Sequence, residues 1–355
     1  MTNKTNNNWF GDLVLAWYAK NGRQLPWRET KDAYRIWISE IILQQTQVAQ
    51  GLPYYLRFTE RFPTVKALAE ANEDEVLKYW QGLGYYSRAR NLHAAAQYVC
   101  NELDGQMPTD YEGLHAMKGV GDYTAADIAA LAYNLPHAAI DGNVYRVLSR
   151  VFGIDTPIDS TKGKKEFAQL GAQLISTTEP GNFNQALMDL GATVCTPKNA
   201  LCEQCPLNGK CYALQNNQID DLPVKEKKTK VRDRHFYYFK IELPGNDMVI
   251  RQRTDKDIWI GLFDFPMIES ETELDANALA KTPAFEQLCQ RFSGLTITHC
   301  TTTVKHQLSH QTLYATLLTC QATNAKLESN ELRIGQSQFD NYAIPKLIEK
   351  LIEAV

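Results

Sequence analysis

Four of the eight cysteines in this chain lie within the stretch 195-CTPKNALCEQCPLNGKC-211. They are Cys195, Cys202, Cys205 and Cys211, in the pattern C-x6-C-x2-C-x5-C. Four thiolates near each other in the chain can close a tetrahedral zinc site or hold a four-iron, four-sulfur cluster. Zinc sites usually combine two C-x2-C pairs, and this stretch has one. The spacing therefore favours the 4Fe-4S cluster, with zinc or four unrelated buried cysteines as the alternatives.

A second stretch, 114-LHAMKGVGDYTAADIAALAY-133, is suited to binding phosphate. Gly119, Val120 and Gly121 separate two apolar helical patterns, and the two glycines allow a sharp turn and close approach to a partner. The helix that follows would present free N-terminal amides, which bind phosphate without lysine. A lone G-x-G fits any turn between helices, but this flanking predicts a DNA-binding helix-hairpin-helix over 111–134. Lys118 stands before the first glycine and is expected to contact phosphate.

Composition limits how such residues can be positioned. A chain of 355 residues is too long for one ordinary core, so two domains are expected. The net charge of −4 gives no overall attraction to nucleic acid, so DNA binding would depend on local cations and backbone amides. The polar start and the lack of a long apolar run predict a protein of a reducing cytoplasm with no membrane partner.

The elements that must hold these residues can be read from apolar spacing and turn residues. The first half is mainly α. Its predicted helices lie in 32–47, 73–80, 86–103, 143–152 and 183–194. A polar, charged linker is expected at 216–234. Strands are predicted at 235–243, 247–253 and 311–320, and helices at 273–292 and 344–354. The domains are thus a helical domain, 1–215, and a smaller α+β domain, 235–355.

Several long motifs occur in a fixed order along nearly the whole chain. They are 24-QLPWR-28, 38-ISEIILQQTQV-48, 81-QGLGYYSRARNL-92, 140-IDGNVYRV-147, 183-FNQALMDLGATVC-195, 259-WIGLFDFP-266 and 306-HQLSH-310. With the hairpin and the cysteine loop, this order resembles the endonuclease III superfamily of DNA glycosylases, and within it the MutY adenine glycosylase branch. The resemblance implies a helix-hairpin-helix glycosylase domain with a 4Fe-4S loop, followed by a nudix-like domain.

The resemblance gives roles to two carboxyl groups. Hydrolysis of an N-glycosidic bond needs an acid to protonate the leaving base and a carboxylate to stabilise the positive sugar. Glu40 lies in the apolar setting WISEIIL, where burial would raise its pKa and keep it protonated; a surface carboxylate is the alternative. Asp141 reads first as a helix N-cap and would stabilise the oxocarbenium ion. Asn143 matches a position that orients the site.

Position 123 separates two mechanisms. Bifunctional relatives carry a lysine there, which attacks the sugar as an amine and then cuts the strand. Tyr123 cannot form that Schiff base, so the resemblance implies a monofunctional enzyme without true lyase activity. We expect Tyr123 to bond to the catalytic carboxylates, while Lys118 is a candidate source of weak strand cleavage.

The remaining candidates are DNA and base contacts. An enzyme that flips a base out of the duplex needs a side chain to fill the space the base leaves. Leu83 and Tyr85 are candidate wedge residues for that space, and the alternative is that they pack in the core. Gln45 would read the opposite base. The other matched contact positions are Arg23, Trp27, Arg28, Leu43, Thr46, Arg88, Gln185, Leu308, Ser309 and His310. Ordinary packing explains Trp27 equally well. Leu308 replaces the aromatic residue usual in the family, and Ser309 retains a hydroxyl that could bond to 8-oxoguanine.

The implied activity is release of adenine mispaired with 8-oxoguanine or guanine in duplex DNA, by a monomer. Two rivals remain open at this point. An endonuclease III-like pyrimidine glycosylase-lyase would need the hairpin lysine and would lack a second domain. A non-catalytic mismatch-binding protein would not need the two acids.

Overall fold

A computed structural model describes residues 8–226 and 231–354. The chain divides into two compact units, Met1–Ala69 with Ala94–Lys227, and Glu70–His93 with Lys228–Val355. Part of the predicted linker, 227–230, lies outside the described residues, as does the start of the predicted first domain, 1–7. The domain boundaries stay a prediction. Within the described ranges, no helix has both the length and the apolar character required to cross a bilayer.

The first half of the chain is helical, as its apolar spacing predicts. The helices are α1 Asn8–Asn21, α2 Ala33–Leu43, α3 Val48–Arg61, α4 Val65–Ala69, α5 Glu73–Trp80, α6 Ser87–Glu102, α7 Tyr111–Ala116, α8 Asp122–Tyr133, α9 Gly142–Phe152, α10 Thr161–Leu174, α11 Pro180–Thr193 and α12 Tyr212–Gln215. Helix α2 ends earlier than the predicted 32–47, because Gln44 leaves the helical conformation with ψ 113°, and Gln45 after it takes a left-handed backbone with φ 57°.

The core of the first unit forms around α11, which packs against both α1 and α9. Its fully buried side chains include Phe10, Val144, Leu148, Phe183 and Leu190. Burying each such side chain stabilises the fold by about 1.5–3 kcal/mol. This core fixes the start of α9 and the buried face of α11, where several predicted site residues lie.

The second unit is built on a mixed sheet. Its strands are β1 Arg232–Leu243, β2 Asp247–Gln252, β3 Phe263–Asp264, β4 Met267–Ser270, β5 Phe292–Ser293, β6 Thr296–Cys300, β7 Val304–Gln307, β8 Gln311–Gln321, β9 Asn324–Ala325 and β10 Glu331–Gly335. The main order is β10-β2-β1-β8-β6, and β1 pairs with β8 in parallel. The helices are α13 Ala276–Ala280, α14 Pro283–Arg291 and α15 Lys346–Glu353. The three predicted strands are confirmed as β1, β2 and β8, although β1 begins inside the predicted linker.

Candidate active site

Glu40 lies on the buried face of α2. The helix is capped by Asp32, the residue before its first turn, whose side chain accepts a hydrogen bond from the Tyr34 amide at 2.9 Å. Its apolar residues fill the core, and only 4% of the Glu40 surface is exposed. Burial raises the pKa of Glu40, while hydrogen bonds from Tyr123 and Asp127 oppose that rise. Since burial disfavours the charged form, the carboxyl is suited to carry a proton.

Asp141 caps the N-terminus of α9. One carboxyl oxygen, Oδ1, accepts from the Val144 amide at 2.7 Å, and the other, Oδ2, accepts from Asn143 Nδ2 at 2.8 Å. Burial raises the pKa of Asp141, and these two donors together with the charge of Arg146 act in the opposite direction. The helix N-terminus also favours negative charge. The group is therefore held in a fixed orientation with donors suited to a carboxylate.

Tyr123 stands in the first turn of α8. Its hydroxyl lies 3.2 Å from Met188 Sδ and within hydrogen-bonding reach of Glu40. Burial, followed by the charge of Glu40, raises the pKa of Tyr123 well above its usual value. The side chain is therefore a neutral phenol beside the Glu40 carboxyl.

A buried ionic network adjoins these groups. Arg28 donates to both oxygens of Asp189 at 2.8 Å, and Arg23 reaches the same carboxylate through Nε at 2.8 Å. Gln185 links the network to α8, since its Oε1 accepts from Arg28 Nε at 2.6 Å and its Nε2 donates to Asp127 Oδ2 at 3.0 Å. Burial raises the pKa of Asp189, but the hydrogen bonds from Arg28 and Arg23 outweigh it and lower the pKa below its usual value.

Two buried aspartates of this network, Asp127 and Asp189, were not predicted from the sequence. Each lies four residues after a residue that was singled out, Tyr123 in one case and Gln185 in the other, so each pair shares a helix face. Both side chains are fully buried. An aspartate in an apolar helix was the signal that could have found them, because an unpaired buried charge is costly.

Two arginines of α9 join the start of that helix to the cysteine loop. Arg146 donates to Asn143 Oδ1 at 2.9 Å and to the carbonyl of Cys195 at 2.7 Å. Arg150, only 1% exposed, donates to the Thr196 carbonyl at 2.8 Å and reaches Cys195 Sγ at 3.4 Å. The loop is thus tied by charge-assisted hydrogen bonds to the helix that Asp141 caps.

The four cysteines line one apolar pocket. Its wall is completed by Val147, Val151, Leu190, Val194, Leu207 and neighbouring residues. Burial raises the pKa of the Cys202, Cys205 and Cys211 thiols, for Cys205 to about 11. In the described part of the chain, no three candidate ligands converge closely enough to enclose a single metal ion.

The hairpin between α7 and α8 has the predicted form. Gly119 takes φ 82°, a left-handed backbone that favours glycine. Gly121 precedes α8 with an extended backbone and contributes no side-chain cap, so the first amides of α8 face outward. Lys118 is exposed beside them. Asp122 is also exposed there and accepts from Tyr111 at 3.2 Å, which places a negative charge at the hairpin.

The predicted wedges have different environments in the second unit. Leu83 is only 7% exposed and packs in the core, whereas Tyr85 is 47% exposed with φ 48°. The Tyr85 hydroxyl hydrogen-bonds to the Ser309 hydroxyl. Both lie at a pocket of about 550 Å³. Arg88 packs over the Tyr85 ring, with its guanidinium carbon 5.7 Å from the ring centroid.

The remaining predicted contacts lie on turns or in the core. Ser309 and His310 are exposed in the turn between β7 and β8, and Leu308 beside them packs partly on the core. Gln45 is exposed past the end of α2, with Leu43 and Thr46 half-buried. Trp27 is 2% exposed and packs edge-on against Tyr55 at 5.1 Å, an ordinary core contact. Val120 is buried within the hairpin.

Two family models match the chain. Residues 38–173 match the HhH-GPD superfamily of base excision DNA repair proteins, and residues 237–354 match the NUDIX domain. The adenine DNA glycosylase of Buchnera aphidicola subsp. Schizaphis graminum is 36% identical over 263 residues, which cover 74% of this chain and 76% of that one. The human adenine DNA glycosylase is 44% identical over 222 residues, which cover 60% of this chain and 41% of that one.

Solved structures resemble the helical part. A thermostable thymine-DNA glycosylase is similar with a TM-score of 0.55 and 28% identity, covering 59% of this chain and 96% of that one. An endonuclease III–DNA complex is similar with a TM-score of 0.53 and 20% identity, covering 61% of this chain and 99% of that one, which supports the fold alone. Together with the two matched domains and the curated relatives, these likenesses show that the chain belongs to the MutY-type adenine DNA glycosylases of the helix-hairpin-helix superfamily.

Proposed function

We propose that this protein hydrolyses the N-glycosidic bond of adenine mispaired with 8-oxoguanine or guanine in duplex DNA. The observation that carries the proposal is the pairing of a buried acid with a capped carboxylate. Burial raises the pKa of both groups, and Asp141 also caps the N-terminus of α9, where the Val144 and Asn143 donors favour its charged form. A buried carboxyl beside a helix-capping carboxyl suits an acid and an ion stabiliser.

In this mechanism Glu40 protonates the flipped adenine, which then departs as a neutral base. Asp141 stabilises the positive charge that develops on the sugar, and Asn143 holds its orientation through the 2.8 Å hydrogen bond. Tyr123 bonds to Glu40 and supplies no amine for a Schiff base. The enzyme is accordingly monofunctional, and strand breaks appear only after alkali.

Contact with DNA is assigned to the exposed hairpin and to the second unit. The outward amides of α8 and Lys118 hold phosphates, and their local placement offsets the net charge of −4. Tyr85 enters the base stack, and Gln45 reads the opposite base. Ser309 bonds to 8-oxoguanine, because its exposed hydroxyl stands on the turn that matches the family motif.

We infer that the four cysteines hold a 4Fe-4S cluster. The four cysteines line one apolar pocket, and their C-x6-C-x2-C-x5-C spacing contains one C-x2-C pair, whereas zinc sites usually combine two. These four thiolates would hold the cluster, which would supply a structural, DNA-positioning anchor. We further propose a monomer of the bacterial cytoplasm.

A single-turnover assay with excess enzyme tests the proposal. The duplexes carry adenine opposite 8-oxoguanine, guanine, cytosine or thymine, and one carries thymine opposite guanine. Each sample is divided into portions with and without hot alkali, and Glu40→Gln is run beside the unaltered protein. We expect breaks only after alkali, only at mispaired adenine, and none with Glu40→Gln. Release of thymine instead of adenine, or breakage without alkali, would overturn the assignment.

A further inference from the structure

A second buried carboxyl group lies against Glu40 and has no assigned role. Asp127 stands on α8 one helical turn after Tyr123, and its exposure is 0%. Its neighbours on that helix are alanines and Ile128. Because aspartate is almost never fully buried without a partner, we expect hydrogen-bond partners for the Asp127 carboxyl.

The two oxygens of Asp127 have different surroundings. Oδ2 accepts from Gln185 Nε2 at 3.0 Å. Oδ1 is buried, and within the described ranges no N–H or O–H group donates to it. The carboxyl group of Glu40 lies within hydrogen-bonding reach of Asp127. Ionised carboxylates offer only acceptors, so this contact is favourable only when a proton lies between the two groups.

The surrounding charges do not replace that proton. The titratable and charged groups that face the pair are Tyr18, Arg28, Tyr123 and Asp141. Arg28 is the cation among them, and two of its nitrogens are already bonded to Asp189. Tyr123 is a neutral phenol, and Asp141 adds negative charge. Full ionisation of both carboxyls would therefore place two adjoining negative charges in the core.

We propose that Asp127 is a positioning residue that shares a proton with Glu40 and keeps the general acid loaded. The inference rests on the proposed glycosylase function. The resting pair holds one proton, carried by Glu40 as an O–H that donates a hydrogen bond to the Asp127 carboxylate. When the Glu40 O–H bond breaks and its proton passes to adenine, both carboxyls are ionised and the pair has lost its one proton. The water that adds to the sugar releases one proton, which reloads the pair.

This arrangement determines the pH dependence of excision. Burial, followed by the charge of Glu40, raises the pKa of Asp127 well above its usual value. The pair gives up its second proton with difficulty, because adjacent like charges oppose it. A general acid works while protonated, so the rate falls as pH rises through its pKa. Sharing a proton extends activity to higher pH than a single glutamic acid would allow.

Asp127→Asn tests the proposal with little change of shape. The amide oxygen can accept from Gln185, and the amide nitrogen can donate to Glu40, which favours the ionised form of Glu40 instead of its protonated form. The single-turnover rate of adenine release is measured between about pH 5 and pH 9. We expect the falling limb to move to lower pH by about one unit or more, since close carboxylates separate their pKa values by up to about three units. Asp12→Asn, the same change at an exposed position of α1, is the matched control and should keep the wild-type limb.

A purely structural role for Asp127 would give a different result. It would lower the rate by a constant factor at every pH and leave the limb in place. That outcome, or an unchanged rate throughout, would overturn the proposal.

Infrared spectroscopy of the DNA-free protein supplies a readout that does not need activity. Above about pH 6 ordinary carboxyls are ionised, so a remaining C=O stretch of a protonated carboxyl reports a raised pKa. We expect this band in the unaltered protein, its loss in Asp127→Asn, and its titration at lower pH in Glu40→Gln. If neither the unaltered protein nor either variant releases adenine, but the band behaves in this way, the glycosylase proposal fails and proton sharing stands. If adenine is released and the band is missing, proton sharing fails alone.

Discussion

Replacing Gly191 by alanine should displace the first turn of α9, which the proposed catalytic residue Asp141 caps, without changing any proposed catalytic side chain. Gly191 lies on α11 and faces the first turn of α9. A Cβ atom built there would stand 2.6 Å from Asn143 Cβ and 3.0 Å from the Asn143 carbonyl oxygen. Carbon atoms in ordinary contact are about 3.5–4.0 Å apart, so the helices must separate locally by about 1 Å.

The size of the effect follows from that displacement. Asn143 donates the 2.8 Å hydrogen bond that orients Asp141, and its backbone cannot move alone within the helix. Misplacing a reacting group by about 1 Å costs about 100-fold in rate, equivalent to about 2.7 kcal/mol. Overpacking costs about 1–3 kcal/mol of stability, and the better helix propensity of alanine offsets about 1 kcal/mol of that. Activity should therefore fall far more than stability.

The assay compares single-turnover adenine release with urea unfolding for Gly191→Ala and a matched control. Gly11→Ala on α1 is that control, because its Cβ would meet the Phe183 ring at 3.8 Å, an ordinary contact. We expect a wild-type rate and a gain of up to about 1 kcal/mol of stability for Gly11→Ala. A wild-type excision rate in a folded Gly191→Ala protein would refute the link between this contact and the orientation of Asp141.

Three further predictions concern the buried charges and the DNA-facing turn. Arg28→Met should destabilise the fold by about 3–5 kcal/mol in urea unfolding, because it leaves Asp189 without its main partner. Adding Asp189→Asn should recover part of that loss. If the two substitutions instead lower the free energy of unfolding additively, the two residues are not energetically coupled. Because the folded-state pKa of Asp127 is raised, its contribution to stability is complete below its unfolded pKa and is lost as pH rises. Asp127→Asn should therefore be more stable than the unaltered protein at about pH 8 and similar to it at about pH 4. Thermal unfolding at both pH values measures this, and the same difference in stability at each pH would be evidence against it. Ser309→Ala should lower the preference for adenine opposite 8-oxoguanine over adenine opposite guanine by about tenfold, the value of one hydrogen bond of about 1.4 kcal/mol; an unchanged ratio of excision rates would remove Ser309 from lesion recognition.

Local sequence was enough to predict several parts of the site. Asp141 was recognised as a helix cap, because aspartate before an apolar helical pattern accepts from the first free amides. The G-V-G turn predicted the left-handed Gly119 between two helices. Burial of Glu40 followed from its apolar neighbours. The family motifs also placed the four cysteines in one loop, and they share one pocket.

Other features required the packed helices. Leu83 was offered as a wedge beside Tyr85, yet only Tyr85 is exposed, because alternate residues of a short glycine-flanked loop face different sides. Gln185 was assigned to the adenine pocket, and its amide is bonded to Arg28 and Asp127. Apolar spacing identifies the buried face of a helix but does not identify the helix that packs against it.

The sequence by itself determined the elements, the caps, the hairpin and the chemical types available, since each depends on neighbours a few residues away. Only the tertiary structure decided that Asp127 of α8 would meet Glu40 of α2, with Gln185 of α11 beside them. The reason is physical. The protonation of a buried carboxyl depends on desolvation and on the charges within a few ångströms, and these come from helices that are distant along the chain.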